Sequence, residues 1–384
     1  MAEGGTHLKK PILLLAVLML LMAACGGGGA TTTTTGGGTG EEVTPEMQTL
    51  IEAAQEEGTL TTIALPHDWC NYGAVIEGFK TKYGLAVNEL VPLAGSAEEL
   101  EAIDANKENP GPQAPDVVDI GLAFAPQAKT DGLITAYKVS TWDSIPDAAK
   151  DADGFWYGDY YGVLAFEVNT DAVDNVPQDW ADLLKPEYNG QVALPGNPII
   201  SSQPFHTVWA AALANGGSLD DPAPGLEFWR QVVDAGNFVP AEATGGTIAS
   251  GETPITIRWS YNALLNRDSL AGNPEISVVV PPSGRLAGMY VQAISAYAPH
   301  PNAAKLWMEY LYSDEGQLGW LSGYCNPIRY DDMVVRGVVP DDLAAQLPDT
   351  TGAAFPSLAQ VESAQTYIAE NWDAVVGVTV IEAG

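Results

Sequence analysis

The chain has 384 residues, and 49 aspartates and glutamates against 16 lysines and arginines give a formal net charge of −33. Acidity on that scale excludes nucleic acid and anionic membrane surfaces as partners, because both carry the same sign of charge. It suits solubility and a saline setting, a solvated acidic face being the plain reading, and it leaves a cationic ligand open.

Lys9 and Lys10 precede an apolar run from Ile12 to Met22, after which Ala23 and Ala24 lead to Cys25. A charged start, a short apolar run and small residues predict a secretory signal over residues 1–24. The run is too short to span a bilayer, which takes roughly 20 residues. LMAAC resembles a bacterial lipobox, so Cys25 is expected to carry lipid; the alternative is an ordinary secreted protein with a chance cysteine. The stretch GGGGATTTTTGGGTG that follows has no apolar side chain larger than alanine, and residues 25–43 read as a flexible leash. The expected location is therefore extracytoplasmic, in the periplasm or on the outer face of the cell membrane, with the lipid as anchor. Of the remaining cysteines, Cys70 and Cys325, an exported protein more often makes a disulfide than two free thiols or a soft-metal site. The roughly 340 residues beyond the leash are many for a single core, and two lobes are expected.

Thr44 and Pro45 open a helix with Met47, Leu50, Ile51 and Ala54 on one face, and Gly58 ends it. LTTIAL (60–65) reads as a strand and runs into the loop PHDWCNYG (66–73). A helix over about 74–83 turns Val75, Ile76 and Phe79 inward, and LAVNEL (85–90) is the next strand. Ser96 and Glu99 read as a capping box for a helix carrying Leu100 and Ile103. DVVDIG (116–121) is a third strand. This repetition predicts a mainly parallel α/β sheet, and ligands bind outside the carboxyl ends of such strands. PHDWCNYG, AGS (94–96) and GLAF (121–124) share that edge.

Further along, GVLAFEVNT (162–170) is a long extended run able to cross between lobes. QVALPG (191–196) is a strand and residues 201–217 a helix burying Phe205, Val208, Trp209, Ala212 and Leu213. A second helix contains Leu226, Trp229, Val232 and Val233, and PITIRW (254–259) is a strand ending in SYN. EISVVVPPSG (275–284) and YVQAISAY (290–297) read as strands returning to the first lobe, and 301–321 as strongly helical. Among these, Trp180 and Trp307 are expected to pack and His206 and His300 to be structural.

Two segments then carry a likeness. VPQDWADLLKPEYNGQVALPGNP (176–198) and SAYAPHPNAAKLWMEYLYSDEGQ (295–317), with the lipobox and leash, resemble the family 1 extracellular solute-binding proteins of bacterial ABC importers. The resemblance implies a two-lobe, type II periplasmic-binding-protein-like α/β fold with ligand held between the lobes. By that analogy lobe one is 44–163 plus 278–322, and lobe two is 164–277 plus 323–384. It also implies a monomer that delivers a small-molecule solute to ABC permease subunits, with no cofactor and no catalysis.

The loops expected to face the cleft are aromatic and acidic: His67, Asp68, Trp69 and Tyr72; Asp159, Tyr160 and Tyr161; Arg258, Trp259, Tyr261 and Asn262. Aromatic faces beside carboxylates suit an organic cation such as a polyamine or thiamine, since cation–π contacts and a paired carboxylate offset the burial of charge. Ferric iron is the rival the resemblance implies, since part of that family binds it through adjacent tyrosines, a histidine and a carboxylate; Tyr160 and Tyr161 are adjacent and His67 and Asp68 are at hand, whereas the family's tyrosine pair usually follows the strand that ends here in RWSYN, which offers the single phenol Tyr261. Arg258, with Ser96 at a helix N-terminus, would instead suit an anion, unless Arg258 is spent on an ion pair. A hydrolase is a further alternative. The sequence holds no His-Glu-x-x-His, Gly-x-Ser-x-Gly or P-loop, and a paired Cys70 could not act as a nucleophile. A surface lipoprotein without a cleft is the last.

Overall fold

A computed structural model describes residues 44–381. The segments expected to be a signal sequence (1–24) and a lipidated leash (25–43, with Cys25) lie outside the described residues. Helix α1 (Pro45–Glu57) starts where Thr44 accepts a hydrogen bond from the Met47 amide, and it stops at Gly58, whose φ of 77° only glycine adopts cheaply. Strand β1 (Thr59–Ile63), helix α2 (Tyr72–Tyr83), β2 (Ala86–Leu90), α3 (Ser96–Ala105) and β3 (Val117–Gly121) follow. Then come α4 (Ala125–Thr130), β4 (Ile134–Thr135), the long β5 (Tyr157–Asn169), β6 (Val192–Ala193), α5 (Ser202–Ala214), α6 (Ala223–Asp234) and α7 (Gly245–Ala249). The chain continues through β7 (Ile255–Trp259), α8 (Ser260–Leu270), β8 (Ile276–Val279), β9 (Ala287–Ser295), α9 (Pro301–Leu311) and α10 (Asp314–Ser322). It closes with β10 (Asn326–Pro327), α11 (Tyr330–Arg336), α12 (Asp341–Ala344) and α13 (Leu358–Val375).

Strands β1 and β2 pair in parallel, and Asp116 ties β3 to β1 by donating its amide to the Thr61 carbonyl. Both β3 and β5 run antiparallel to β9, and so parallel to each other. Beyond Val163, β5 exchanges β9 for β7: Leu164 pairs with Trp259, and the ladder continues to Val168 opposite Ile255. Strands β7 and β8 are both antiparallel to β5, and β6 is parallel to β7. The parallel arrangement expected from the strand–helix repetition is thus interrupted by reversed strands, β9 and the short β10 in one half and the far end of β5 in the other.

Two expectations shift. Residues 276–279 do not return to the first half of the sheet but pair with Phe166–Asn169, so the return falls to β9. The helix over 301–321 is two helices broken at Tyr312 and Ser313, because Ser313 caps a new start by accepting the Gly316 amide.

Bulky aromatics dominate the core, with Trp180, Trp209, Trp229, Trp259, Trp307 and Trp320 fully buried. Two glycines make room for such rings where the halves of the sheet meet. A Cβ on Gly288 would overlap the Trp259 indole, and one on Gly162 the Tyr261 ring.

Candidate binding cleft

Loops after the strand ends face one another across a cleft of about 480 Å³, within the range of small-ligand sites. One wall is Pro66, Asp68 and Trp69 after β1, Val91 to Ser96 with Glu98 and Glu99 after β2, Asp119 of β3 and Tyr290 of β9. The other is Pro195 to Asn197 with Ile200 and Ser201 after β6, Gln203 of α5, Glu242 to Gly245, and Arg258, Asn262 and Asn266.

The loop over 66–73 holds its shape through its backbone. Trp69 N–H donates to the Pro66 carbonyl, Tyr72 N–H to that of Trp69 and Gly73 N–H to that of His67. Cys70 and Asn71 take left-handed backbones, with φ of 46° and 64°. A disulfide joins Cys70 to Cys325, 255 residues away, with the Cα atoms 5.7 Å apart. The Trp69 ring therefore stands against Tyr290 at 5.5 Å and Tyr261 at 6.0 Å between centroids, both edge to face.

Beneath Trp69 lies a buried polar network. Its indole N–H donates to the Tyr160 hydroxyl over 2.8 Å. The Tyr160 and Tyr72 hydroxyls both donate to Oδ2 of Asp119, at 2.9 and 2.7 Å. Gln292 donates to the Tyr72 hydroxyl and to Asp159, and the Tyr160 amide donates to Asp159 as well. Asp119 is 5 % exposed, and its Oδ1 has no donor. Burial outweighs its two phenol donors and pushes its carboxyl up to about 7. Burial and the neighbouring Asp119 charge push Asp159 well above the ordinary carboxylate range. Glu99 is raised by the same two causes.

On the facing wall Arg258 donates to the buried Glu167 at 3.2 Å and to the Ala243 carbonyl, and Asn266 donates to the other oxygen of Glu167. Burial raises Glu167 and the guanidinium partly offsets that. Gln203 accepts from the Trp259 amide and from Asn262. The lining holds the carboxylates Asp68, Glu98, Glu99, Asp119 and Glu242 against the single guanidinium of Arg258.

Of the residues picked out in the sequence, Asp68, Trp69, Ser96, Arg258 and Asn262 line the cleft. Tyr72, Asp159, Tyr160, Trp259 and Tyr261 do not; they are at most 1 % exposed and stand behind the lining as its support. Tyr161 points the other way, as alternation along a strand requires, into a separate apolar pocket beside Phe355. His67 is turned outward and pairs with Glu89 at 2.6 Å. Among the described residues no group of three or more His, Cys, Asp or Glu could hold a metal ion, and the ferric ligand set His67, Asp68, Tyr160 and Tyr161 is not brought together.

The Ser96–Glu99 capping box is also replaced. Gly95 is the N-cap and donates its amide to Glu98, because Ser96 and Glu99 are buried and engaged elsewhere. Ser96 accepts the Gly121 amide and Glu99 the Asp119 amide, which fastens α3 to the end of β3. Sequence reasoning passed over Asp119, Glu99, Gln203 and Tyr290. The signal for Asp119 is a carboxylate inside the otherwise apolar run VVDIG.

A model of the family described as bacterial extracellular solute-binding protein matches residues 113–348. An uncharacterized protein of Haemophilus influenzae is 29% identical over 243 residues, 60% of this chain and 66% of its own length. A probable ABC transporter periplasmic-binding protein, y4fP, of Sinorhizobium fredii is 27% identical over 191 residues, 48% of this chain and 51% of its own. The chain thus spans less than two thirds of either relative. Among solved structures, AgtB of A. tumefaciens R10 in complex with agropinic acid superposes with a TM-score of 0.66 at 15% identity, covering 83% of this chain and 99% of its own. AfuA of Actinobacillus pleuropneumoniae with fructose-6-phosphate gives 0.64 at 20%, covering 83% and 98%. Iron-bound HitA of Pseudomonas aeruginosa gives 0.62 at 18%, covering 83% and 99%. At such identities the fold is what is shared, the type II periplasmic-binding-protein class of α/β architecture.

Proposed function

Because the chain belongs to the family of bacterial extracellular solute-binding proteins, we propose that it captures a small organic cation in this cleft and delivers it to the permease of an ABC importer. The observation that carries the ligand class is the cleft's lining, where the carboxyls of Asp68, Glu98, Glu99, Asp119 and Glu242 stand against the single guanidinium of Arg258, and an ammonium group is the partner such a lining favours. Trp69 and Tyr290 in the same wall offer ring faces and edges to an organic cation. Arg258 weighs little for an anion, since it is paired with the buried Glu167, although its Nε has no acceptor.

In this reading residues 44–163 and β9 onward to α10 form one lobe, and the segment from Leu164 through β8 forms the core of the other. The exchange of ladder partners between Val163 and Leu164 supports that division. Ligand bridging the two walls would favour the closed arrangement, so binding energy would drive closure with no chemical step. The leader and Cys25 would place the protein outside the cytoplasm on a lipid anchor; no described helix is long and apolar enough to cross a membrane.

Calorimetric titration of the full chain with putrescine, spermidine and thiamine, beside ferric citrate and fructose 6-phosphate, tests the proposal. Saturable binding of at least one cation, with neither of the others binding, is expected. Binding of ferric citrate or the sugar phosphate with no response to any cation would overturn it.

A further inference from the structure

Strands β5 and β9 border a second hollow on the face turned away from the cleft. Neighbours along a strand point to opposite faces, and two pairs show it here. Tyr290 lines the cleft and Met289 the hollow, while Tyr160 supports Trp69 and Tyr161 enters the hollow. The hollow measures about 260 Å³, enough for a single ring and just under the span of drug-sized sites. Leu122, Met289, Ile328, Phe355 and Val361 make its walls apolar, and it shares no lining residue with the cleft. One buried polar side chain interrupts them. His206 of α5 is 1 % exposed, and its Nδ1 stands 2.8 Å from the Ser202 carbonyl. A carbonyl only accepts, so Nδ1 carries the ring's hydrogen and Nε2 is left as an acceptor. Among the described residues Nε2 has no hydrogen-bond partner. The ring meets the hollow by the edge away from Nδ1: a Cβ on Gly288, another lining residue, would come within 3.1 Å of Cδ2. A buried acceptor without a donor costs stability until something donates to it.

We propose that this hollow is a second ligand site, which takes a small uncharged phenol whose hydroxyl donates to His206 Nε2. The ligand's ring buries its surface against Met289, Ile328 and Phe355, and the edge-to-face pair of Tyr161 and Phe355, 5.5 Å between centroids, offers it an aromatic wall. Charge is excluded on both sides. The lining holds no lysine or arginine to receive an anion, and its one carboxylate, Asp331, is exposed at the rim, where it repels one. Burial holds the His206 imidazole down at about 4, so near neutral pH the nitrogen is an uncharged acceptor. A cation would lose its hydration inside these walls with no carboxylate there to replace it. Ala148 and Phe355, exposed members of the lining, mark the opening to solvent. Because the hollow and the cleft lie on opposite faces of the same strands, the two sites fill independently, and the phenol site stands whether or not the cleft takes a cation.

The test is calorimetric titration of the full chain with p-cresol, beside toluene, which has the same ring without the hydroxyl, and p-toluate, which adds a negative charge. Saturable binding of p-cresol is expected, with toluene about tenfold weaker because Nε2 then stays without a donor, and with no binding of p-toluate. His206→Phe keeps a ring of similar size and removes the acceptor, so p-cresol should fall to the level of toluene. Ala148→Trp closes the opening from an exposed position and should abolish binding of both while the circular dichroism spectrum is unchanged. If His206→Phe does not fold, Ala148→Trp and the ratio of p-cresol to toluene decide. Absence of saturable p-cresol binding overturns the proposal. So does equal affinity for toluene, which would mean that water serves Nε2, and so does binding that survives Ala148→Trp but is lost in Trp69→Ala, which would put the phenol in the cleft.

Discussion

The Trp69 indole N–H donates to the Tyr160 hydroxyl over 2.8 Å, and that hydroxyl donates onward to Asp119 over 2.9 Å. One phenol thus positions the ring that borders the cleft and satisfies the carboxylate at its base. Tyr160→Phe keeps the ring's packing and removes both bonds, leaving a buried acceptor with fewer donors. The expected loss is about 1–3 kcal/mol of stability in urea unfolding, with weaker cation binding as Trp69 loses its orientation. Unchanged stability with weakened binding would mean that Tyr160 touches ligand itself.

Trp69 and Tyr261 look equivalent in the sequence, and the structure separates them. Trp69 is half-buried on a loop that borders the cleft, whereas Tyr261 is 1 % exposed between Trp259, Tyr160 and Trp69. Trp69→Ala should abolish most cation affinity in a calorimetric titration while moving the melting temperature little. Tyr261→Ala should cost about 3–5 kcal/mol of stability, as large-to-small core changes do. Equal stability losses in the two variants would contradict this division of roles.

What the sequence disclosed and concealed follows from which physical signals are local. The start of α1 at Thr44 and Pro45 and its end at Gly58 are local backbone chemistry, and they were legible. So was the gathering of the loops after β1 and β2 at one edge, because strand–loop–helix order fixes it; GLAF after β3 does not line the cleft, and its Leu122 borders the other pocket. Strand direction is not local. Nothing in 290–297 announces that β9 runs against both its neighbours, since alternation looks the same either way. Tyr160 and Tyr161 show the same limit: a period of two says that adjacent rings part company, but not which goes inward. Ser96 and Glu99 had the residue types of a cap, yet Gly95 and Glu98 perform that task because β3 claims the other two. Asp119 was hidden by its own surroundings, a single charge in an apolar strand.

Arg258 and Glu167 form a pair in which Glu167 is fully buried. Arg258→Met would leave that carboxylate without its counter-charge, and a loss of about 3–5 kcal/mol in chemical unfolding is expected. Adding Glu167→Gln should recover a large part of it. If the single variant is as stable as wild type, Arg258 is free to serve a ligand and the anion reading revives.

The bond between Cys70 and Cys325 closes a separation of 255 residues and holds the loop that carries Trp69. Replacing both by serine should cost about 2–5 kcal/mol in stability and loosen the cleft. Calorimetry with and without reductant checks the second half: affinity of the wild type should fall under reducing conditions, while the double variant ignores the reductant. Identical affinities throughout would confine the disulfide to a stabilising role.

The raised carboxyl of Asp119 makes a last claim, on stability rather than binding. Its folded value lies at about 7, above the value of about 3.9 for an unfolded aspartate. Between those two points the folded state binds more protons than the unfolded one, so stability falls as pH rises. The contribution is complete below the unfolded value and lost as pH climbs through the folded one, with a slope of at most about 1.4 kcal/mol per pH unit for one proton. Asp151, Asp182 and Asp314, held below the usual range by Lys129, Lys185 and Arg336 respectively, act in the opposite sense nearer pH 4, so the whole-protein curve mixes both. Comparison with Asp119→Asn removes this group together with its push on Asp159. Urea midpoints of the empty wild type should decline relative to the variant between about pH 4 and 7, and parallel curves would show that Asp119 is already ionised in the empty cleft.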